Sequence, residues 1–129
     1  MDIIYLIEKE VKEKIYEYKI NSEDHYDFWN EHIKYVCKES EKLAENYNAD
    51  LEIVLLGALL HDIALICKTG GKKEHHINGK IIADEMLSRH NYPADRKERV
   101  LNCVYNHRSS KNAATIEELY SNCDYVSLH

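Results

Sequence analysis

The sequence predicts an all-α fold, a compact bundle of about six helices, and three observations support this. The chain has 129 residues, of which 31% are charged, and contains only four Gly and one Pro. Hydrophobic residues recur at steps of three and four, which is the period of an amphipathic helix. The length is typical of one domain, so we expect a single domain over 1–129. Its N-terminal helix is expected in 1–22 and its candidate motifs in 24–129.

The first two helices are each predicted from one apolar face. In the first, of about 17 residues, that face carries Ile4, Ile7, Val11, Ile15 and Tyr18. Asn21, Ser22 and Asp24 then interrupt the pattern and can cap a second helix. The corresponding face of the second helix carries Phe28, His32, Val36, Ser40, Leu43 and Tyr47. We therefore expect His32 to point into the core.

The third helix is expected at the centre of the bundle. It follows the polar residues 48–50 and is apolar on every side through the segment 51–60. A helix that is hydrophobic all round is normally a buried one. His61 and Asp62 follow directly, so an ionisable pair stands at the end of the most apolar segment of the chain.

Three further helices complete the prediction. The residues 68–73 form a loop, and the apolar face of the fourth helix carries Ile77, Ile81, Ile82, Met86 and Leu87. Pro93 is placed for the first turn of the fifth helix. The inward positions of that helix are Val100, Val104 and His107. Thr115 and Glu118 have the spacing of a capping box for the sixth helix, in which Asp124 lies on or near an apolar face.

Several ionisable side chains are predicted to lie in one small core, where they must interact with one another. An unpaired buried charge costs several kcal/mol, so such groups are paired, hydrogen-bonded or bound to a metal. Neutral imidazole together with carboxylate suits Mn, Fe, Co, Ni or Zn. His61 and Asp62 diverge in direction, but they can share a metal centre that lies between them. Taken alone, His32 is better explained as a core histidine bonded to a carbonyl. The doublet could be a polar helix end.

The order of these residues resembles a known family. His32, the doublet His61-Asp62 in Leu-Leu-His-Asp-Ile, and Asp124 are similar to the ordered motif of the HD-domain metal-dependent phosphohydrolases, which are all-helical. The stretch His75-His76-Ile77-Asn78-Gly79 resembles the His-x-x-x-Gly element of that family. Asn106-His107-Arg108 resembles its additional histidine. The fold implied is an HD-domain-like helical bundle.

The resemblance spans about 24–124 and implies a metal-dependent hydrolase of a phosphomonoester or phosphodiester, such as a nucleotide or a related small metabolite. The implied ligands of a first ion are His32, His61, Asp62 and Asp124, and the implied catalytic residues are His61 and Asp62. His75 and His107 would complete a second metal site, which Asp62 would bridge. The implied cofactors are one or two divalent ions, Mn, Fe, Co, Ni or Zn, with Mg as a further option.

Several assignments stay open. The spacing to Gly79 favours His75 over His76 as a ligand, and His76 is then exposed or in contact with substrate. His107 is either a ligand or a residue that binds substrate. The expected substrate-binding residues are Arg108, Lys72 and His76, since guanidinium and ammonium groups bind phosphate.

Two other functions also remain. Some members of the family with the six-ligand set hold two irons and use O₂ to cleave carbon bonds, so a di-iron oxygenase is one alternative. The second alternative is a regulatory domain that binds metal or nucleotide without turnover.

Composition argues against several partners. A net charge of −6 without a cluster of Lys and Arg gives no support for binding duplex nucleic acid or an anionic membrane. Charges interrupt the segment 1–20, which excludes a membrane span or a secretory leader there. Four separate cysteines then indicate reduced thiols and a cytoplasmic protein. The chain ends five residues after Asp124, so we expect some pocket residues to be missing or supplied by a second copy in a homodimer.

Overall fold

The computed structural model describes residues 2–68, 75–105, 115 and 117, and at His75 the backbone alone. This part of the chain is helical and contains no β-strand, which confirms the all-α prediction. Its α-helices are α1 Ile3–Asn21, α2 Lys34–Asn46, α3 Leu51–Leu60, α4 Ile63–Ile66, α5 His75–Arg89 and α6 Ala94–Tyr105. Within the same residues, none of the helices has the length and apolar character needed to cross a bilayer.

The predicted sixth helix lies largely outside the described residues. Of that segment the structure describes two residues. Thr115 is exposed, whereas Glu117 is buried and has a helical backbone conformation. The capping partner expected for Thr115, Glu118, is not among the described residues.

Helix α3 is the central helix, as the sequence predicts. Seven of its residues are buried, and it packs against α1, α2 and α6. Asp50 begins the helix, because its carboxylate accepts a hydrogen bond from the backbone amide of Ile53 at 3.3 Å. At the other end His61 keeps helical backbone angles, whereas Asp62 leaves them at φ −111° and ψ 19°. The chain therefore turns into α4 at the ionisable doublet.

A π-helical turn, Trp29–Ile33, stands where the sequence predicts the start of an ordinary α-helix, and it leads directly into α2. Asp27 stabilises its start by accepting hydrogen bonds from the side chain of Asn30 at 2.8 Å and from its backbone amide at 3.2 Å. The side-chain bond from Asn30 is the main reason that the pKa of Asp27 lies below its usual range. His32 lies within this turn, which is wider than an α-helical one.

The apolar face predicted for the second helix is wrong at its far end. Tyr47 is 59% exposed because α2 ends at Asn46 and Tyr47 already lies outside the helix. Asn48 then adopts a left-handed φ of 58°, a conformation that asparagine tolerates at helix ends. The earlier positions Val36 and Ser40 are buried as expected.

The predicted face of α5 is also wrong in part. Ile77 and Ile81 are exposed, whereas Gly79 and Ala83, which are smaller, are buried. A Cβ atom at Gly79 would lie 3.2 Å from Cγ1 of Val104 and 3.9 Å from side chains of α4. The small residues face the bundle because α5 packs closely on α4 and α6, while Met86 and Leu87 are buried as predicted.

Helix α6 is the fifth helix of the prediction. Pro93 stands at its N-terminal boundary, where its carbonyl oxygen accepts a hydrogen bond from the backbone amide of Lys97 at 2.8 Å. The inward positions Val100 and Val104 are buried, in agreement with the prediction.

The substitution Gly79→Ala tests the close approach of α5. In a helix interior this change normally stabilises a protein by about 1 kcal/mol. At Gly79 we expect urea unfolding to show no such gain, because the new methyl group would crowd Val104. In a Val104→Ala background the gain should return. A full gain in the otherwise unchanged protein would contradict the packing described here.

Candidate metal centre

Three of the side chains implied as metal ligands, His32, His61 and Asp62, meet at the end of α3. Nε2 of His32 lies 3.0 Å from Nε2 of His61. Oδ2 of Asp62 lies 3.1 Å from each of these nitrogens. Among the described residues this is the group of His, Cys, Asp and Glu side chains that could hold a metal ion. We call these three residues the triad.

The triad is buried on one side and open on the other. His61 is 1% exposed and Asp62 is 7% exposed, because both stand where the apolar helix α3 ends inside the core. The side chain of His32 keeps 30% of its surface accessible. A small molecule can therefore approach from the side of His32.

The orientation of His61 is fixed by a backbone carbonyl. Nδ1 of the ring lies 2.5 Å from the carbonyl oxygen of Ala58. The carbonyl only accepts, so Nδ1 carries the proton and donates it. In the neutral ring Nε2 is then unprotonated, and its lone pair faces the triad. A metal-binding histidine is commonly held in this way by a bond from its second nitrogen.

The donor chemistry of the triad fits a cation. The lone pair of His61 Nε2 and the carboxylate of Asp62 are both acceptors, and they lie 3.1 Å apart in a largely buried place. Two acceptors this close repel each other unless a cation or a donated proton lies beside both, and Nε2 of His32 lies 3.0 and 3.1 Å from them. Two imidazole nitrogens and one carboxylate oxygen are the mixture that binds divalent transition metals.

The spacing of the three atoms also fits a metal ion. Ligands about 2.1 Å from an ion lie about 3.0 Å apart when they subtend a right angle, and about 3.4 Å apart at the tetrahedral angle. The observed separations are 3.0, 3.1 and 3.1 Å. The three atoms are therefore close enough together for one ion to contact all of them.

Tyr26 lies near the triad and is absent from the sequence predictions. Burial raises the pKa of its hydroxyl, and so do the nearby carboxylates, which belong to Glu31, Asp62 and Asp27. The ring packs edge-to-face on Phe28, with 4.7 Å between centroids. The phenol is therefore a neutral hydrogen-bond donor close to Asp62 at ordinary pH. In the sequence, only the position of Tyr26 shortly before the π-helical turn could have indicated that it lies near the triad.

Of the other predicted site residues, the structure describes the side chain of His76, which is not part of the triad. His76, at the start of α5, packs its ring edge-to-face on Tyr105 with 5.0 Å between centroids. The side chain of His75 and the residues Lys72, His107, Arg108 and Asp124 lie outside the described residues. Their assigned roles stay predictions.

The packing of α5 nevertheless bears on two of these predictions. Gly79 lies against Val104 and against Ile63, which directly follows Asp62. The start of α5 and the end of α6 therefore both approach the chain beside the triad. The two predictions are those for His75, which precedes Gly79 by one helical turn, and for His107, which follows Val104 by three residues in the sequence; the side chain of His75 and the whole of His107 lie outside the described residues.

The substitution Asp62→Asn tests the triad directly. It keeps the size of the side chain but removes the charge that offsets a cation. We expect Mn²⁺ affinity, measured by calorimetry, to fall by at least roughly a hundredfold, since loss of an outer partner of a ligand alone costs ten- to a hundredfold. The helical circular dichroism signal should persist.

Asp84→Asn is the matched control, because Asp84 lies on α5 and pairs with Lys97 at 2.9 Å. This variant should bind Mn²⁺ as the unchanged protein does. Equal affinity in Asp62→Asn and Asp84→Asn would show that the triad is not the metal site.

Comparison with known proteins yields one match. A family model described as "HD domain" matches residues 30–127, a span that contains the whole triad and the predicted ligand Asp124. Among curated proteins and among solved structures, no match to the chain is found.

Proposed function

The chain belongs to the HD-domain family, and from that membership we propose that it is a metal-dependent phosphohydrolase acting on a phosphomonoester or phosphodiester. Members of this family are generally metal-dependent hydrolases. The single observation that carries the proposal is the triad, in which three ligand atoms lie within 3.1 Å of one another. The proposed ligands are His32, His61 and Asp62, with Asp124 as a fourth.

The residues of the triad have distinct parts in the proposed reaction. A divalent ion held by them supplies Lewis acidity, which makes water nucleophilic near neutral pH and offsets the negative charge of a phosphate ester. His61 is locked by its bond to Ala58, so its Nε2 keeps a constant direction. Asp62 supplies negative charge beside both imidazoles. His32 lies on the accessible side, where substrate would enter.

Tyr26 is proposed to act at this entrance. Its phenol is neutral at neutral pH, and the raised pKa extends that neutral form to higher pH, so the hydroxyl can donate a hydrogen bond to a phosphate oxygen. A neutral donor would bind the phosphate without adding a positive charge near Asp62. Arg108, Lys72 and His76 remain the proposed contacts of the phosphate beyond the triad.

The proposed substrate is a nucleotide or a related small metabolite. The metal ions, rather than the protein's own charge of −6, would attract such an anion. The proposed cofactors are one or two divalent ions, with His75 and His107 as the second site. The proposed ions are Mn, Fe, Co, Ni or Zn, with Mg as a further option. We also propose that the protein is cytoplasmic and forms a homodimer.

The proposal predicts turnover that needs metal but no oxygen. Protein stripped with a chelator and reloaded with Mn²⁺, Co²⁺, Ni²⁺ or Mg²⁺ should hydrolyse at least one member of a panel of phosphomonoesters, phosphodiesters and nucleotides in anaerobic buffer. Released phosphate or nucleoside is the readout. The rate should fall to background in Asp62→Asn and stay unchanged in Asp84→Asn.

Two outcomes would speak against the proposal. Turnover that appears only with iron and O₂ would point to the oxygenase alternative. Tight nucleotide binding by a metal-loaded protein that hydrolyses nothing in the panel would point to a regulatory domain.

A further inference from the structure

A pocket that carries an excess of positive charge lies between α1 and the end of α4. Its volume is about 230 Å³, and its lining consists of Lys14, Glu17, Tyr18, Asn21 and residues 66–68. Two lysines and one glutamate give this lining its excess of positive charge, although the whole protein has a net charge of −6. We call this cavity the Lys68 pocket.

The two lysines of the pocket are not neutralised by carboxylates of the described chain. Within residues 2–68 and 75–105, neither Lys14 nor Lys68 forms an ion pair. Nζ of Lys68 instead lies 5.0 Å from the centroid of the Tyr18 ring, a distance at which an aromatic face attracts a cation. The ring holds the ammonium group but does not cancel its charge. The N–H donors of Lys68 therefore stay available for an anion in the pocket.

The backbone of Lys68 has a conformation that suits glycine better than lysine. Its φ is 56°, in the left-handed region, where a residue with a Cβ atom is strained and glycine is not. The amide of Lys68 donates to the carbonyl oxygen of Leu65 at 3.2 Å, which closes the turn after α4. A glycine would form the same turn more easily, so the local fold gives no reason for a lysine here. Strained residues of this kind cluster at functional sites.

Tyr18 connects one wall of the Lys68 pocket to the surroundings of the triad. Its hydroxyl donates to the carboxylate of Asp24 at 3.2 Å, and the same carboxylate accepts a hydrogen bond from the backbone amide of Tyr26 at 3.1 Å. The ring of Phe28 packs edge-to-face against both tyrosines, with 5.0 and 4.7 Å between centroids. Since Tyr26 lies near Asp62, the wall formed by Tyr18 continues towards the triad.

The opposite wall of the pocket begins at the triad itself. Asp62 immediately precedes α4, and its carbonyl oxygen accepts a hydrogen bond from the backbone amide of Ile66 at 3.1 Å. The amide of Cys67 makes the next helical bond, to Ile63, at 2.9 Å. Lys68 follows Asp62 by six residues, which corresponds to about 9 Å along a helix. A molecule of the size of a nucleotide can therefore contact both the triad and the Lys68 pocket.

We propose that the Lys68 pocket binds a second anionic group of the substrate while the phosphate that is hydrolysed lies at the triad. This step rests on the proposed function, and it narrows the substrate class to phosphate esters that carry a second phosphate or a carboxylate. Lys68 supplies positive charge and N–H donors to that group, and Lys14 adds to the positive charge. Lys68 is thus a specificity-determining residue, because it contacts a part of the substrate that does not react.

Two nucleotides that differ by one phosphate test the role of Lys68. The Mn²⁺-loaded full chain should prefer adenosine 3′,5′-bisphosphate over adenosine 5′-monophosphate at least about tenfold, because hydrogen bonds to charged groups are among the stronger ones. The readout is kcat/KM from released phosphate, or Kd by calorimetry for a nucleotide that is not hydrolysed. Lys68→Met keeps the apolar stem without the charge. It should reduce the preference to less than about twofold, by raising KM for the bisphosphate and not by lowering kcat.

Two further variants separate the charge of Lys68 from general effects. Lys9→Met is the matched control, because Lys9 is an exposed lysine of α1 outside the lining of the Lys68 pocket. This variant should keep the full preference. Lys68→Gly suits the left-handed backbone and should lose the preference as Lys68→Met does. It also serves as the test variant if Lys68→Met does not fold.

The inference fails if the unchanged protein shows no preference for the bisphosphate, or if Lys68→Met and Lys68→Gly retain that preference. It also fails if Lys9→Met loses the preference to the same extent. Failure of the proposed function has a different signature, since the Mn²⁺-loaded protein would then hydrolyse no phosphoester. The effect of Lys68→Met on the two Kd values would still decide whether the Lys68 pocket binds the second anionic group.

Discussion

A nitrogen lone pair of His61 and a carboxylate oxygen of Asp62 lie 3.1 Å apart, almost sheltered from water, at the end of an apolar helix. Both atoms are acceptors, so the arrangement is favourable with a cation beside them or with an N–H donated by His32, whose Nε2 lies 3.0 and 3.1 Å from them. The ring of His61 could avoid this repulsion by pointing its protonated nitrogen, Nδ1, towards Asp62. The hydrogen bond from Nδ1 to the carbonyl oxygen of Ala58 prevents that orientation. The end of α3 therefore presents two acceptor atoms to one point, and Nε2 of His32 is the third atom that could bind a metal ion there.

The elements that pack around α3 meet near its end, at the triad. His32 lies in the π-helical turn that precedes α2. Asp27 stabilises the start of that turn. The close contact at Gly79 brings the start of α5 and the end of α6 beside the residue that follows Asp62. At the far end of α3, Asp50 accepts hydrogen bonds from Arg96 and Arg99, which ties the start of the central helix to α6.

Helical periodicity was sufficient to predict the central helix and the doublet that follows it. A helix that is apolar on every side is stable only when it is buried in the centre of the bundle. It failed where close packing decides, as at Ile77, which is exposed because Gly79 faces the bundle. The partners of Tyr26 and Lys68 depend on loops and on residues far apart in sequence. Lysines are usually solvated, and no periodic pattern indicates that Lys68 lies over the ring of Tyr18.

The central claim is that the triad holds a divalent ion. An anomalous difference map from crystals of the Mn²⁺-loaded protein tests it most directly. We predict a peak within bonding distance of Nε2 of His32, Nε2 of His61 and a carboxylate oxygen of Asp62. Saturated crystals that show no peak at these atoms, or a peak only elsewhere in the molecule, would contradict the claim.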